Sequence, residues 1–596
     1  MPCWVKSGWL FFCVVLLAAA FMAWKGAYTW QVAFEFPWWG YGTVAMPLLG
    51  LCGMLLARRF GKAALPEGWS LWVVLLLSFA VDSVCNLYAY SAPWQLHVSV
   101  LMSVAFMLLL WAVLRSASLG FWIIFLVLEI MQICAYEQYG SRINSLVVAE
   151  TLEASWEEAL AYMTPINLGT LALSVLLAVL FCWAVRRTLR RQHSLSLFNA
   201  ACLAGGLSLA FGLLIPPNRQ KQDFYWPVAE LPVLYSAASE ALTINEATIN
   251  QVEQLESPAA SPHKLHAVQG NEGVVLVVHV GESIRADRMS LNGYDRDTTP
   301  WLRQQANLIN FPVCISAACD TCQAQIAILT DGRRDINEKN PQLMPKTGSV
   351  LDLFDANGFQ LYSFFGRRCA QKLKYDRVVL MLTRRSQQRF NAPGSPWTSV
   401  PQMQEVLQQS PAGQNLLFFV NNEGSHTPFE HYDRKNPPFA PAASHFQNPA
   451  AQAVEVNNAY DSTIHYTDEF FRRVAELLQN RPFVYVYVSD HGEYLGHDGM
   501  WGRAALGEKH VSYHATQGCK VGMFVLYNDA FARLSPHFAA SLEQMRRNAS
   551  ITVAHEHIFH TLLGLFKLES PFYDPALDLT SPSVQPYTGP QPLPES

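Results

Sequence analysis

The stretch "GVVLVVHVGES" at residues 273–283 decides the fold of the second half of this chain. It is an almost unbroken run of β-branched residues, which is typical of a strand buried on both faces of a parallel sheet. The run ends abruptly in Gly281, Glu282 and Ser283. A carboxylate and a hydroxyl therefore follow directly on a predicted buried strand.

Three more apolar stretches have the same character: "NLLFFVNNEGSH" (415–426), "FVYVYVSDHGE" (483–493) and "CKVGMFVLYND" (519–529). Helical patterns separate them, such as "YDSTIHYTDEFFRRVAELLQN" at 460–480. Strands that alternate with helices predict a layered α/β fold.

Polar residues collect where these predicted strands end. Glu282 follows the first strand, His426 follows the second, and Asp490 and His491 follow the third. Open α/β sheets place ligands at the carboxyl ends of their strands. Carboxylates and imidazoles bind divalent metals, and the imidazole favours zinc. A lone Asp-His pair is usually part of a solvated loop, but three separate strand ends with ligand-type residues favour a metal site.

The first part of the chain contains apolar stretches of the length, about 20 residues, that spans a bilayer. They cover residues 8–28, 39–57, 69–91, 97–114, 119–137, 165–185 and 197–216. We therefore predict a transmembrane helical domain over residues 1–216. It has five to seven spans, since the third and fourth stretches also fit a re-entrant pair.

Basic charge orients the predicted spans. "RRFGK" (58–62) and "RRTLRR" (186–191) follow alternate spans, so the positive-inside rule places the N-terminus in the cytoplasm. Because the number of spans is odd, the bridging segment 217–264 and the α/β domain 265–596 lie on the far side. The outer segment 138–163 has apolar and acidic residues at helical spacing, which predicts an amphipathic helix at the membrane surface; a simple connector is the alternative.

Charge also bears on the partners of the protein. The net charge is −5 and no long basic run occurs, so nucleic-acid binding is not expected.

Several motifs, in this order along the chain, resemble those of membrane phosphoethanolamine transferases of the alkaline phosphatase and sulfatase superfamily. They are "HVGESIRADRMSLNGYDRDTTPWL" (279–302), "NEGSHTPF" (422–429), "YDSTIHYTDEF" (460–470), "VSDHGEYLG" (488–496) and "HEHIFHTLLGLF" (555–566). The resemblance extends over the whole chain, with spans first and a catalytic domain after them. It implies a multi-pass protein of the bacterial inner membrane with an alkaline-phosphatase-like α/β domain in the periplasm.

The resemblance also implies an activity. Phosphoethanolamine is transferred from phosphatidylethanolamine to a lipopolysaccharide acceptor, which is a core sugar, Kdo or lipid A, through a covalent phospho-threonine at a zinc site. A second zinc site is compatible with the family. A phosphoglycerol transferase or phosphodiesterase on the same fold is the alternative.

Other classes of protein are disfavoured. A sulfatase requires a CxPxR or SxPxR context, and none surrounds Thr321. A non-enzymatic sensor or scaffold is expected to lack metal ligands, whereas Glu282, Asp490 and His491 are all present. A transporter is expected to carry more ionisable residues within its spans.

By resemblance, the metal is held by Glu282, Asp490, His491 and the nucleophile Thr321. Thr321 lies in "CISAACDTCQ" (314–323), nine residues before Thr330, as in the family. The Ser and Pro that commonly follow the family's Thr are absent here, and Ser316 is the nearest rival hydroxyl.

The resemblance assigns further roles by position. His426 and His510 are expected to be catalytic, and His426 is expected to contact phosphoryl or acceptor oxygens. His514 and His497 are the alternatives for the position assigned to His510. Three residues are expected at the substrate: Glu158, Glu493 and His514.

Five cysteines follow residue 217, at positions 314, 319, 322, 369 and 519. An oxidising compartment permits disulfides, and we expect one to brace the loop that carries Thr321. An odd number leaves at least one thiol unpaired within the domain, and the pairing is open.

Overall fold

The structure is a computed structural model of the 596-residue chain. It describes Val148 and residues 264–265, 272–318, 321–332, 345–366, 374–391, 396–427, 429, 433, 435–442, 452–496, 501–502 and 519–589. The predicted spans, the segment 138–163 except Val148, and the bridging segment up to residue 263 lie outside this set. Among the described residues, no helix combines the length and the apolar character needed to cross a membrane.

The described residues from 264 onwards belong to one compact unit. Its strands are β1 (Lys264–Leu265), β2 (Val275–Gly281), β3 (Leu308–Asn310), β4 (Cys314–Ile315), β5 (Gln360–Phe365), β6 (Gln388–Asn391), β7 (Leu416–Asn421), β8 (Phe483–Ser489), β9 (Tyr494–Leu495), β10 (Trp501–Gly502), β11 (Lys520–Val521), β12 (Met523–Tyr527), β13 (Val553–Ala554) and β14 (Leu568–Glu569). Its helices are α1 (Thr321–Leu329), α2 (Val350–Ala356), α3 (Lys374–Leu382), α4 (Ser399–Gln409), α5 (Ala453–Leu478), α6 (Asp529–Arg533), α7 (Pro536–Asn548) and α8 (Glu556–Leu565).

A seven-stranded sheet with the order β3-β12-β8-β2-β7-β5-β6 organises this unit. Strands β8, β2, β7, β5 and β6 run parallel, while β12 is antiparallel to both of its neighbours. The predicted α/β fold is therefore confirmed, and the three stretches with ligand-type ends are neighbouring parallel strands. The stretch 519–529 instead forms β11 and the antiparallel strand β12.

Both faces of this sheet are covered, as the apolar sequence of β2 predicts. The side chains of β2 alternate between two cores, with Leu276 and Val278 on one face and Val275 and Val277 on the other. The first pair packs in a core with residues of α1, α2, α3, α7 and α8, and the second pair in a core with α4 and α5. Burial on both faces explains why the strand contains no alternating polar residues.

The register of β2 with β8 places their ends side by side. Gly281 pairs with Ser489, and the next residue, Asp490, donates its backbone N–H to the Gly281 carbonyl at 3.0 Å. Glu282 and Asp490 therefore begin the two adjacent loops. On the other side of β2, the Ser425 N–H donates to the Glu282 carbonyl at 3.0 Å and draws in the loop that follows β7.

A smaller sheet with the order β11-β4-β13 lies beside this edge. Its central strand, β4, pairs antiparallel with β11 and parallel with β13. Because β4 leads towards Thr321, this sheet supports the segment that carries the predicted nucleophile.

Gly281 is needed for close packing at the end of β2. A Cβ at this position would lie 2.3 Å from the hydroxyl oxygen of Tyr487 and 2.6 and 2.7 Å from two of its ring atoms. Since the Tyr487 ring is completely buried, we expect Gly281→Ala to lower the free energy of unfolding by about 1–3 kcal/mol. Chemical denaturation of the full-length protein measures this loss.

Gly522→Ala is the matched control for Gly281→Ala. Its new Cβ would meet the Met289 sulfur at 2.5 Å, and a thioether side chain adjusts more readily than a packed ring. We expect a smaller loss in this variant. Wild-type stability of Gly281→Ala would contradict the packing argument.

Candidate active site

Three buried ligand-type residues meet where β2 and β8 end. Ligand atoms of Glu282, Asp490 and His491 all lie within 4.8 Å of one another. The His491 Nε2 atom is 3.3 Å from Glu282 Oε1 and 3.5 Å from Asp490 Oδ2. The structure therefore brings together three predicted ligand residues from the ends of two neighbouring strands, β2 and β8.

The donor atoms of this cluster suit zinc in type and spacing. Ligands about 2.0–2.1 Å from a tetrahedral zinc ion lie roughly 3.3–3.4 Å from one another, which matches the separations around His491 Nε2. His491 Nδ1 lies 3.2 Å from the Gly492 carbonyl, and an N–H donated there leaves the lone pair on Nε2 for a metal. Two carboxylates and one neutral imidazole fit a divalent cation.

Thr321 is placed beside this cluster. It is the first residue of α1, is buried, and its Oγ1 donates to Glu282 Oε2 at 3.3 Å. The first N–H groups of a helix have no partner within the helix and carry partial positive charge. A hydroxyl, a carboxylate and a helix N-terminus therefore face one point, as an attack on a phosphoryl group requires.

Ser316, the rival hydroxyl, is engaged elsewhere. It is completely buried, and its Oγ lies 2.7 Å from the Asp490 carbonyl and 2.5 Å from the Ala318 carbonyl. A hydroxyl that donates to backbone carbonyls in the interior ties the nucleophile segment to the metal-ligand loop. This geometry favours Thr321 as the nucleophile.

His555 joins the same two segments. Its Nδ1 accepts from the Ala317 N–H at 3.2 Å, and its Nε2 lies 3.0 Å from the Ser489 carbonyl. The two contacts together require a neutral ring that carries its proton on Nε2. In the sequence His555 lies in the motif of a late helix. Nothing near it in the chain predicts its contacts with Ala317 and Ser489.

Glu493 and Ser283 complete the surroundings of the cluster. Glu493 is buried, and its Oε1 is 3.3 Å from the Ser283 hydroxyl oxygen, which is in turn 2.9 Å from Glu282 Oε1. The expected substrate residue Glu493 therefore lies directly beside the metal-type ligands. Ser283 was not predicted to have a role.

His426 lies on the loop that contacts Glu282 but is not part of the group of three. Its ring is partly buried, and its Nδ1 is 2.5 Å from the Thr427 carbonyl. The structure thus places His426 near the cluster and outside its ligand set. The predictions for Glu158, His510 and His514, and the weaker candidate His497, fall on residues outside the described part of the chain.

His279 is a core residue, although it lies three positions before Glu282. Its Nδ1 is 2.6 Å from the Tyr485 hydroxyl and its Nε2 is 3.2 Å from Asn422 Oδ1. Burial lowers the pKa of His279 to about 3, and the hydrogen bond with Asn422 opposes this only in part. The imidazole is therefore neutral and held within the sheet.

The predicted disulfide stays a prediction. Cys314 has a free thiol that is completely buried, and burial together with the neighbouring Cys519 raises its pKa far above the usual range. Cys319 and Cys369 lie outside the described residues.

Comparison with known proteins supports the motif evidence. Residues 274–568 match the protein-family model described as Sulfatase. The matched region contains every described residue of the site, from Glu282 to His555.

Two curated relatives confirm the resemblance to phosphoethanolamine transferases. The Kdo(2)-lipid A phosphoethanolamine 7''-transferase of Escherichia coli (strain K12) is 25% identical over 316 residues, which are 51% of this chain and 54% of that protein. The phosphoethanolamine transferase EptA of Helicobacter pylori is 26% identical over 348 residues, 54% of this chain and 58% of that protein. The matched part thus spans about half the length of these relatives.

One solved structure supports the fold. It is the integral membrane protein lipooligosaccharide phosphoethanolamine transferase A (EptA) from Neisseria meningitidis, with a TM-score of 0.60 and 19% identity. The match covers 86% of this chain and 97% of that one. At this identity the likeness bears on the fold alone.

We predict that zinc bound at the cluster of Glu282, Asp490 and His491 stabilises the folded protein. Zinc added to metal-stripped full-length protein should raise the free energy of unfolding by about 2.7 kcal/mol once free zinc is a hundredfold above its Kd. Asp490→Asn should remove most of this gain, because an amide supplies no charge to the ion. Thermal unfolding with and without zinc measures the effect.

Asp352→Asn is the matched control for the zinc experiment. Asp352 is a buried carboxylate that accepts from Arg384 Nε at 2.7 Å, and it is not part of the metal-type group. This variant should lose basal stability yet keep the zinc-dependent gain. An undiminished gain in Asp490→Asn would contradict the assignment of the cluster.

Proposed function

We propose that this protein transfers phosphoethanolamine from phosphatidylethanolamine to a lipopolysaccharide acceptor, with Thr321 as the covalent nucleophile. One observation carries the proposal: the Thr321 hydroxyl lies at a helix N-terminus and within 3.3 Å of a carboxylate of a buried zinc-type cluster. The names of the curated relatives support phosphoethanolamine as the transferred group.

In the first half-reaction, Thr321 Oγ1 attacks the phosphorus of the donor headgroup. The new Oγ1–P bond forms as the P–O bond to diacylglycerol breaks, and diacylglycerol leaves with a proton on its oxygen. Glu282 Oε2 accepts the hydroxyl's hydrogen bond at 3.3 Å, and in this proposal it takes the Thr321 proton and passes it to the departing diacylglycerol oxygen. Phosphoethanolamine remains on Thr321 as a phosphodiester.

In the second half-reaction, an oxygen of the acceptor attacks the same phosphorus. The Oγ1–P bond breaks, the acceptor gains phosphoethanolamine, and Thr321 recovers its proton. The two displacements balance without any further reactant. The N–H groups of the first turn of α1 are oriented to stabilise the negative phosphoryl oxygens in both steps.

Zinc would be held by Glu282, Asp490, His491 and the Thr321 oxygen. When bound, it lowers the pKa of the hydroxyl and neutralises charge on the phosphoryl oxygens. The protein's own contribution is to keep these side chains buried and hydrogen-bonded, so that they need little rearrangement when the reaction occurs. A second zinc at a site that includes His426 is part of the proposal.

The remaining predicted residues act on the substrates in this proposal. His426 and His510 contact phosphoryl or acceptor oxygens. Glu493 pairs with the ammonium group of the substrate, which its burial beside the cluster supports. Glu158 and His514 contribute to substrate binding. The reaction takes place on the periplasmic side of the inner membrane, where both lipids are present.

Thr321→Ala should reduce transfer by roughly a thousandfold or more, because removing a covalent nucleophile eliminates both half-reactions. The measurement is mass spectrometry of lipopolysaccharide from cells that produce wild-type protein, the variant or none. Wild-type cells should show a mass increase that corresponds to phosphoethanolamine, and the other two strains should lack it.

Thr330→Ala is the matched control, because it makes the same substitution at the other end of α1. The Thr330 hydroxyl donates to the Ile326 carbonyl at 2.6 Å and lies outside the cluster, so transfer should persist. Full activity in Thr321→Ala would contradict the assignment of Thr321 as the nucleophile. A mass increase that corresponds to phosphoglycerol would favour the alternative enzyme on this fold.

A covalent mechanism also predicts an adduct on the protein when no acceptor is present. Full-length protein incubated with phosphatidylethanolamine and no acceptor should carry phosphoethanolamine on the peptide that contains Thr321, since the second half-reaction is then blocked. Peptide mass spectrometry locates the adduct. Release of diacylglycerol without any adduct on the protein would contradict a covalent mechanism.

A further inference from the structure

Ser283 has an unusual backbone for a residue with a side chain. Its φ angle is +61°, in the left-handed region, and it is completely buried. This conformation disfavours residues that carry a Cβ and favours glycine. Strained residues of this kind persist where the surrounding structure holds them, and they are found most often at functional sites.

The left-handed conformation directs both polar groups of Ser283 at the cluster. Its N–H donates to Asp490 Oδ1 at 3.0 Å, and its hydroxyl donates to Glu282 Oε1 at 2.9 Å. The hydroxyl oxygen is also 3.5 Å from His491 Nδ1. One residue therefore contacts all three metal-type ligands without belonging to their ligand set.

These contacts give each carboxylate oxygen a distinct neighbour. Asp490 Oδ1 accepts from the N–H groups of Ser283 and His491, and Oδ2 is the oxygen nearer to His491 Nε2. Glu282 Oε1 accepts from Ser283, while Oε2 accepts from Thr321. The Ser283 hydroxyl thus holds the Glu282 carboxylate in the rotation that faces the nucleophile.

The backbone of Ser283 is held from the opposite side by helix α5. The Tyr460 hydroxyl donates to the Ser283 carbonyl at 2.6 Å and accepts from the Arg285 N–H at 3.0 Å. Tyr460 is itself completely buried. This clamp explains how a strained conformation is maintained between two loops.

We propose that Ser283 is a positioning residue of the metal centre, whose hydroxyl orients Glu282 for metal binding and for contact with Thr321. The inference rests on the proposed zinc site. The proposed role explains why a serine occupies this strained position. Glycine would relieve the strain but would lose the hydroxyl.

Two substitutions separate the hydroxyl from the backbone. Ser283→Ala removes the hydroxyl and keeps a Cβ in the left-handed conformation, whereas Ser283→Gly removes both the hydroxyl and the strain. We expect both variants to bind zinc about 10- to 100-fold more weakly than wild type, as is usual when a hydrogen bond to a metal ligand is lost. Without metal, Ser283→Gly should unfold at a higher temperature than Ser283→Ala.

The measurements are made on full-length protein. Competition with a chromophoric chelator gives the zinc Kd, and the visible absorption spectrum of the cobalt(II)-substituted protein reports the coordination geometry. Ser290→Ala is the matched control: Ser290 is also buried, but its hydroxyl contacts Thr299 Oγ1 at 3.0 Å, away from the cluster. This control should keep the wild-type Kd and spectrum.

Each outcome decides the proposal. Weaker zinc binding and an altered cobalt spectrum in both Ser283 variants, with neither change in Ser290→Ala, support it. Wild-type affinity in both variants overturns it, as does wild-type affinity in Ser283→Gly alone, because the hydroxyl is then unnecessary. Should Ser283→Ala fail to fold, the strain-free glycine variant still gives the test. Absence of zinc binding by the wild-type protein instead refutes the metal site, and the role of Ser283 with it.

Discussion

The parallel pairing of β2 with β8 is the constraint on which the rest of the site depends. Adjacent strands lie about 4.8 Å apart, so the residues that follow two paired strand ends start within reach of one ion. The register sets Gly281 against Ser489 and therefore Glu282 beside Asp490 and His491. A shift of one residue would turn these side chains to the other face of the sheet.

The pairing brings two carboxylates into a buried space, which is unfavourable unless positive charge compensates them. Backbone N–H groups supply part of this compensation, since Asp490 Oδ1 accepts from the N–H groups of Ser283 and His491. A divalent cation would supply the rest. The electrostatics of the site and the chemistry of its donor set therefore point in the same direction.

Thr321, the proposed nucleophile, is supported by separate parts of the fold. The small sheet around β4, the Ser316 hydroxyl and the His555 ring attach its segment to the end of β8. A reacting hydroxyl must be held within a fraction of an ångström, and several rigid attachments achieve this better than one. The strain at Ser283 serves the same purpose, because local stability is given up for fixed ligand geometry.

The sequence by itself determined the class of the fold and the three ligand-type residues that meet at the ends of β2 and β8. Long runs of β-branched residues are typical of strands in a covered parallel sheet, and polar residues directly after such runs are expected at its carboxyl edge. Glu282, Asp490 and His491 were predictable for this reason, and Thr321 through its family motif. Tertiary structure alone decided the contacts that depend on distant segments and on backbone angles. Ser283 and His555 lie within motifs of the sequence, but their contacts had no signal there, because a left-handed serine and a histidine that bridges two backbone groups look like any other serine and histidine until the loops around them meet.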